Sequence, residues 1–305
     1  MRFKKLAHVF LIKSLMSFAL FCFGVIVTQT YNSITLDIND IALSTLERLV
    51  GQRSLIDGVI IVRSTYTKHI TPEKIQLLAQ AFPHITYLNL SNTGLDGEGI
   101  AALQFLLSGA VFARLEHLDI SQNPLSELDI YILKNVEMPL NLKLPPLQSL
   151  NISGLDIPMI LSPATFEGIK NMGYFSQKAL QFSLGVYFRN VNLRDFDVSY
   201  NPRLGDLPIY ALIDSTLAQS LEKLNLAYTH PTAEGLERLA SSGSFKRLRS
   251  LNLAGNYNFG ATQLYKLAAG LGSQLEELIL TGTQINTRSE ALVRKLFPKL
   301  KKLIL

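Results

Sequence analysis

Seven segments of this chain superpose with leucine or a close apolar relative at their first, fourth and sixth places. No other feature limits the fold as much. They begin at Ile85, Leu115, Leu147, Leu193, Leu221, Leu248 and Leu275, as in "LEHLDISQNPL", "LRSLNLAGNYN" and "LEELILTGTQI". A weaker copy precedes them at 56–64, and the chain closes on "LKKLIL" from Leu300. The fourth-place residues are Val59, Leu88, Leu118, Leu150, Phe196, Leu224, Leu251, Leu278 and Leu303, at intervals of 29, 30, 32, 46, 28, 27, 27 and 25. Places 4 and 6 alternate with polar residues, so their side chains leave one face of a short strand. Nine strands are expected. The ninth place is Asn or Thr in most copies: Thr93, Asn123, Asn201, Thr229, Asn256 and Thr283. There the chain turns off the sheet, and a buried side-chain hydrogen bond can satisfy backbone groups that would otherwise be stranded.

The segments between strands carry helical periodicity. Residues 94–107 place Ile100, Leu103, Leu106 and Leu107 on one stripe, and 232–240 and 260–271 repeat the device. A single strand–helix unit cannot bury its apolar face alone, whereas a stack of them makes one continuous core. In these residues the chain resembles the leucine-rich repeat family, with its L-x-x-L-x-L-x-x-N/C-x-L signature, over about residues 55–305. Its period is similar to that of the long, ribonuclease-inhibitor-like subclass. The resemblance implies an α/β fold: a curved solenoid with a parallel sheet on its concave face and helices on its convex face. It also implies a non-enzymatic module that binds a protein or extended peptide through the concave face.

Two places break the period. Leu155 stands where Asn or Thr is expected, and residues 158–192 add about eighteen residues to the return that follows. This insertion holds Tyr174, Phe175 and Tyr187, which either fill a core of its own or form a secondary contact, as insertions at solenoid rims often do. Three prolines in 138–148 argue against a helix in the preceding return.

Polar places beside the strand apolars face the inner surface. Place 3 reads Gly58, Tyr87, His117, Ser149, Asp195, Lys223, Ser250, Glu277 and Lys302; place 5 reads Ile60, Asn89, Asp119, Asn151, Asp197, Asn225, Asn252, Ile279 and Ile304. The Asn/Asp run is either solvated filler or a polar groove. If it binds, the contact residues are Tyr87, Asn89, His117, Asp119, Asn151, Asp195, Asp197, Lys223 and Asn225, with aromatic area from tyrosine and specificity from charge. Nine strands at ~4.8 Å make a ladder on the order of 40 Å long, which suits a protein or peptide better than a metabolite. The sequons at Asn89 and Asn151 lie on strands and are read as accidental.

At the start, residues 1–30 carry Arg2, Lys4, Lys5 and Lys13 with no acid, followed by an apolar run from Leu15 to Val27. That is the layout of a signal peptide or, uncleaved, a signal anchor, with membrane contact through 6–29. Residues 31–54 include a capping helix at 39–53, N-capped by Asp40, placed to cover the first strand's open edge. The two ends together carry +9 and residues 31–287 sum to −4, which gives the formal +5. A nucleic-acid partner is therefore not expected.

The one cysteine, Cys22, lies in the apolar run, which leaves the repeat region without a thiol nucleophile, thiolate metal site or disulfide. No catalytic, phosphate-binding or calcium motif occurs, so no enzyme activity, cofactor or metal is expected. The nearest approach to a chemical constellation is His117 and Asp119 with Asp195 and Asp197 two strands away. Export or anchoring is expected for the whole. An alternative is an assembly role, with contact through 158–192 or through the edge of the last strand.

Overall fold

The computed structural model describes backbone alone at 27–30, 33–37, 58–63 and 104–108, and full side chains at 70–103, 112–123, 145–155, 192–213 and 217–305. Eleven strands form one sheet in chain order: β1 (Val27–Thr30), β2 (Ser33–Asp37), β3 (Gly58–Arg63), β4 (Ile85–Asn89), β5 (His117–Asp119), β6 (Ser149–Asn151), β7 (Asp195–Asp197), β8 (Lys223–Asn225), β9 (Ser250–Asn252), β10 (Glu277–Ile279) and β11 (Lys302–Ile304). β1 and β2 are antiparallel, and every later neighbour pair is parallel. Among the described residues, helices occupy the returns as α1 (Pro72–Ala81), α2 (Gly97–Ser108), α3 (Leu207–Ile213), α4 (Leu217–Ser220), α5 (Ala233–Ser241), α6 (Ala261–Leu271) and α7 (Glu290–Leu296). In the second layer α1 packs on α2, and α3, α5, α6 and α7 pack in succession. The result is the expected α/β solenoid, a parallel sheet backed by stacked helices.

From β4 to β11 the register holds without slip. Leu88, Leu118, Leu150, Phe196, Leu224, Leu251, Leu278 and Leu303 lie side by side across eight strands. The alternation enforces this, because a one-residue slip would turn every leucine to the wet face. Leu118 through Leu278 are buried, with the sixth-place Leu90, Ile120, Ile152, Val198, Leu226, Leu253 and Leu280 beside them.

A second apolar row escaped the sequence reading. Phe82, Phe112, Phe245 and Phe297, all buried, stand three residues before the first-place residues Ile85, Leu115, Leu248 and Leu300. In three of the four a one-turn hydrogen bond closes, from Leu115 N to Phe112 O, Leu248 N to Phe245 O and Leu300 N to Phe297 O. Each ring thus plugs the space where a helix hands over to the next strand.

The first copy corrects two expectations. Ile60, not Val59, pairs with Leu88, after an irregularity between Gly58 and Val59. The run Val59–Val62 is apolar throughout, so no alternation was present to fix its register. The edge of β3 is also taken by β2 rather than left for a capping helix. The expected helix at 39–53 lies outside the described residues, as does all of the insertion at 158–192 but its last residue. β1 and β2 were not anticipated; β1 falls within the stretch that reads as a targeting segment. At the other end, the return before β11 opens with a 3-10 turn at Thr287–Ser289, so α7 begins at Glu290.

The ninth-place residues act as expected. Asn123 accepts from Thr93 N and Leu95 N at 2.9 and 3.0 Å and donates to the carbonyls of Leu90 and Ile120 at 2.9 Å. One side chain thereby closes the turn of its own repeat and ties down the turn before it. Asn256 does the same between repeats, accepting from His230 N and donating to Leu226 O and Leu253 O. The Thr93 and Thr229 hydroxyls donate within their own turns, to Leu90 O and Leu226 O, and the asparagine one repeat later makes the bond between repeats. Where Leu155 breaks the pattern, Asn201 reaches back to Ile152 O at 3.1 Å. The stack therefore closes across the insertion.

Candidate functional site

Place 5 of each strand starts as an apparently solvated position, and the geometry gives it a task. Asn89 Oδ1 accepts from Ser91 N at 2.8 Å, Asp119 Oδ1 from Ser121 N at 2.9 Å, and Asn151 Oδ1 from Ser153 N at 3.0 Å. Asp197, Asn225 and Asn252 bind the amides of Ser199, Ala227 and Ala254 in the same way, at 2.9, 3.1 and 3.0 Å. Each is an Asx turn that ends its strand, because the side-chain oxygen replaces the next acceptor in the ladder. The Asn-x-Ser triplets at Asn89 and Asn151 follow from this turn.

The second oxygen of each aspartate faces along the sheet. Asn151 Nδ2 donates to Asp119 Oδ2 at 3.2 Å, and Asn225 Nδ2 donates to Asp197 Oδ2 at 2.8 Å. Among the described residues, no cation lies within ion-pair distance of Asp119 or Asp197. Both carboxylates are half-exposed.

Place 3 adds the side chains that flank this row. Tyr87 and His117 have ring centroids 5.9 Å apart, on neighbouring strands. Asp195 lies 3.9 Å from the exposed Lys223. Burial pushes the Asp195 carboxyl above its ordinary value, Lys223 pulls it back, and Asp197 raises it further. The structure thus brings together, on the polar side of β4 to β8, the predicted residues Tyr87, Asn89, His117, Asp119, Asn151, Asp195, Asp197, Lys223 and Asn225. Tyr174, Phe175 and Tyr187 lie outside the described residues. Among those described, no group of three or more His, Cys, Asp or Glu is placed to hold a metal ion, and no helix is long and apolar enough to cross a membrane.

Both lysines of the last strand are spoken for. Lys301 binds Glu276 at 2.6 Å and Lys302 binds Glu277. Lys301 extends a place-2 row of alternating sign, Arg194, Glu222, Arg249 and Glu276, in which Arg194 lies 4.0 Å from Glu222 and Arg249 lies 3.9 Å from Glu276. The two basic residues inside "LKKLIL" are the complement of the strand before it.

Place 8 was missed. Asn92, Gln122, Gly154, Tyr200, Tyr228, Gly255 and Gly282 all have φ between +52° and +73°. Glycine suits that backbone. A tyrosine there is held at a cost of about 1 kcal/mol. Tyr200 and Tyr228 are nevertheless present, 55% and 41% exposed, stacked with centroids 4.8 Å apart at 15°. A Cβ on Gly255 would collide with the Tyr228 ring, so that ring lies over the next turn's backbone. Tyr257 is 67% exposed, with its ring 5.4 Å from that of His230. The signal was visible in "DVSYNP" and "NLAYTHP", where both tyrosines share one column.

Two family models match, each described as a leucine-rich repeat, at residues 83–103 and 114–136. These two stretches are thus matched as leucine-rich repeats. Among curated proteins, none matches it. Among solved structures, it is similar to a chain in the crystal structure of the Rad7 and Elc1 complex in yeast, with TM-score 0.51 and 19% identity, covering 86% of this chain and 64% of that one. It also matches an internalin (inlF) from Listeria monocytogenes at TM-score 0.37 and 17% identity, covering 86% and 74%. At these identities the first likeness shows the fold alone, and the second carries no argument. Leucine-rich repeat arrays generally mediate protein–protein interaction, through the extended surface that stacking creates.

Proposed function

We propose that this protein is a non-enzymatic binding module that holds a protein or extended peptide along the polar face of β4 to β8. One observation carries the reading: the half-exposed place-5 row, in which Asp119 and Asp197 present carboxylates that no described cation neutralises. An anion left uncompensated beside an aromatic pair such as Tyr87 and His117 is suited to steering and registering a partner. The near-constant period with α-helical returns supports membership of the long-repeat, ribonuclease-inhibitor-like subclass. Export, or attachment to a membrane through residues 1–30, is part of the same proposal, and N-terminal sequencing of the protein from fractionated cells tests it.

The test of the face is a triple variant, Tyr87→Ala, Asp119→Asn and Asp197→Asn, assayed against a partner isolated with the unmodified chain. The amides keep the Asx turns, so the array stays folded and partner affinity should fall at least about tenfold. Unchanged affinity would sink the concave-face reading. Trimming the about eighteen surplus residues from within 158–192, so that a return of ordinary length remains, separates the assembly alternative. Because Asn201 ties the repeats together across that return, the array should stay folded and binding should survive. Loss of binding with folding retained would transfer the function to the insertion.

A further inference from the structure

We infer that Tyr200 and Tyr228 form an aromatic ledge that receives an arginine side chain of the partner, while other basic groups of the same segment lie over Asp197 and Asp119. The inference rests on the concave-face reading and names the chemistry of its occupant.

Three observations converge. Elsewhere in the place-8 column, Gly154, Gly255 and Gly282 occupy the left-handed backbone without strain, yet these two adjacent repeats carry large aromatic residues there. Their rings are stacked nearly parallel and exposed; because the Tyr228 ring lies between Tyr200 and the Gly255 backbone, the π face left for a ligand is that of Tyr200. Asp197 opens the turn that carries Tyr200 and Asp119 lies two strands away in β5, both without a described cation partner, while Asp195 shares its charge with Lys223 at 3.9 Å. Arg203, exposed in the turn after Tyr200, already has an interaction within the chain.

A flat π face next to unneutralised carboxylates selects a cation. Among cations it favours the guanidinium, which is planar, stacks on aromatic rings and sheds water more readily than an ammonium. The chain makes this pairing itself on its helical side, where Arg238 Cζ sits 5.1 Å from the Tyr210 ring centroid. Tyr200 follows Asp197 by three residues, across the Asx turn that ends β7. The matching partner is therefore a segment whose arginine lies within a few residues of a second basic side chain.

The experiment uses the full chain and labelled peptides with arginine, lysine, glutamate or serine at every third position in a glycine–serine background. Binding is followed by fluorescence anisotropy and folding by thermal unfolding. The unmodified chain should bind the arginine peptide about five- to tenfold more tightly than the lysine peptide, and the glutamate and serine peptides should not bind. In Y200G/Y228G, which places glycine where the column already accepts it, the arginine preference should vanish while lysine-peptide affinity stays within about twofold. D119N/D197N should weaken both basic peptides about equally. If the folded Y200G/Y228G chain keeps its arginine preference, the ledge is refuted while the concave-face reading stands. If D119N/D197N changes nothing, the concave-face reading is the one that fails. Binding of the glutamate peptide, or of none of the four, overturns the cationic occupant. A Y200L/Y228L chain that retains the preference would show that apolar area, not the π face, is responsible, and would also overturn the ledge.

Discussion

Two polar columns run along this sheet, at place 5 and at place 9, and both are built from Asn with a few close substitutes. At place 9, Thr93, Asn123, Asn201, Thr229 and Asn256 are fully buried, and their asparagines bind backbone in two repeats at once. At place 5, Asn89 through Asn252 are half-exposed, and each oxygen serves one amide two residues ahead. The same functional group is thus structural in one column and partly available in the other. What differs is water: a buried amide must find every partner within the protein, whereas a half-exposed one keeps atoms free for a ligand. Binding specificity can therefore drift at place 5 of such an array without threatening the stack, whereas place 9 varies only where a neighbouring repeat's asparagine takes over, as Asn201 does beside Leu155.

The comparison breaks most visibly by truncation. Asn256→Ala leaves His230 N without its acceptor and strips one donor each from the carbonyls of Leu226 and Leu253, which keep Thr229 Oγ1 and the backbone N–H of residue 256. The expected loss is about 2 kcal/mol, measured by urea unfolding of the full chain. Asn252→Ala, on the strand just before, removes one bond, to Ala254 N, from a group that water can reach. About 0.5–1 kcal/mol is expected there. Equal losses at the two positions would mean that the columns do not divide the work as described.

A gentler substitution sharpens the contrast within place 5. Asp119→Asn and Asp197→Asn keep the oxygen that caps the strand and exchange only the one facing the next repeat. Asn225 and Asn252 are already amide neighbours in register, so an amide pair is tolerated in this row. Each change should alter stability by less than about 1 kcal/mol, with the thermal midpoint as the readout. A larger drop would show that the carboxylates hold the fold together and would remove them from the list of groups free to bind.

How much of this was legible depended on whether a residue's environment was written in its neighbours. The leucine register from β4 to β11 was readable because alternation encodes a buried face directly. Its failure at Val59 and Ile60 came where alternation ceased. Asn123 and Asn256 could be assigned a turn-closing role because their recurrence coincides with the end of each strand. The place-5 side chains gave away their face but not their Asx turns, since an exposed Asn is equally at home in solvent; the recurrent Asn-x-Ser and Asp-x-Ser spacing was the available sign. Tyr200 and Tyr228 went unread because a positive φ is invisible until Gly154, Gly255 and Gly282 are recognised as sharing their column. β1 and β2 were obscured by composition, as an apolar run after a basic start looks the same whether it pairs in a sheet or addresses a membrane.

The smallest expected effect lies at the sheet's last strand and tests whether charge acts differently there than in its middle. Lys301 holds the Glu276 carboxyl below its ordinary 4.5, and Lys302, chiefly by hydrogen bonding, does the same for Glu277. Groups so depressed contribute stability above their unfolded value, and that contribution is lost as the pH falls through the folded one. Asp195, in β7, has the opposite sign: burial raises its carboxyl above 3.8, so protonation relieves a strain on the folded state as the pH drops. Acidification from about pH 6 to about pH 3 should therefore loosen β11 relative to β8. Hydrogen exchange at two amides reports it: Lys302 N–H, bound to Glu276 O at 3.1 Å, should lose protection relative to Lys223 N–H, bound to Arg194 O at 2.9 Å. Because the lysine–glutamate pairs are exposed, about 1 M salt should shrink the difference. Equal loss at both amides would mean that acid acts on the array as a whole, and that the paired lysines of "LKKLIL" give the terminal strand no electrostatic hold of its own.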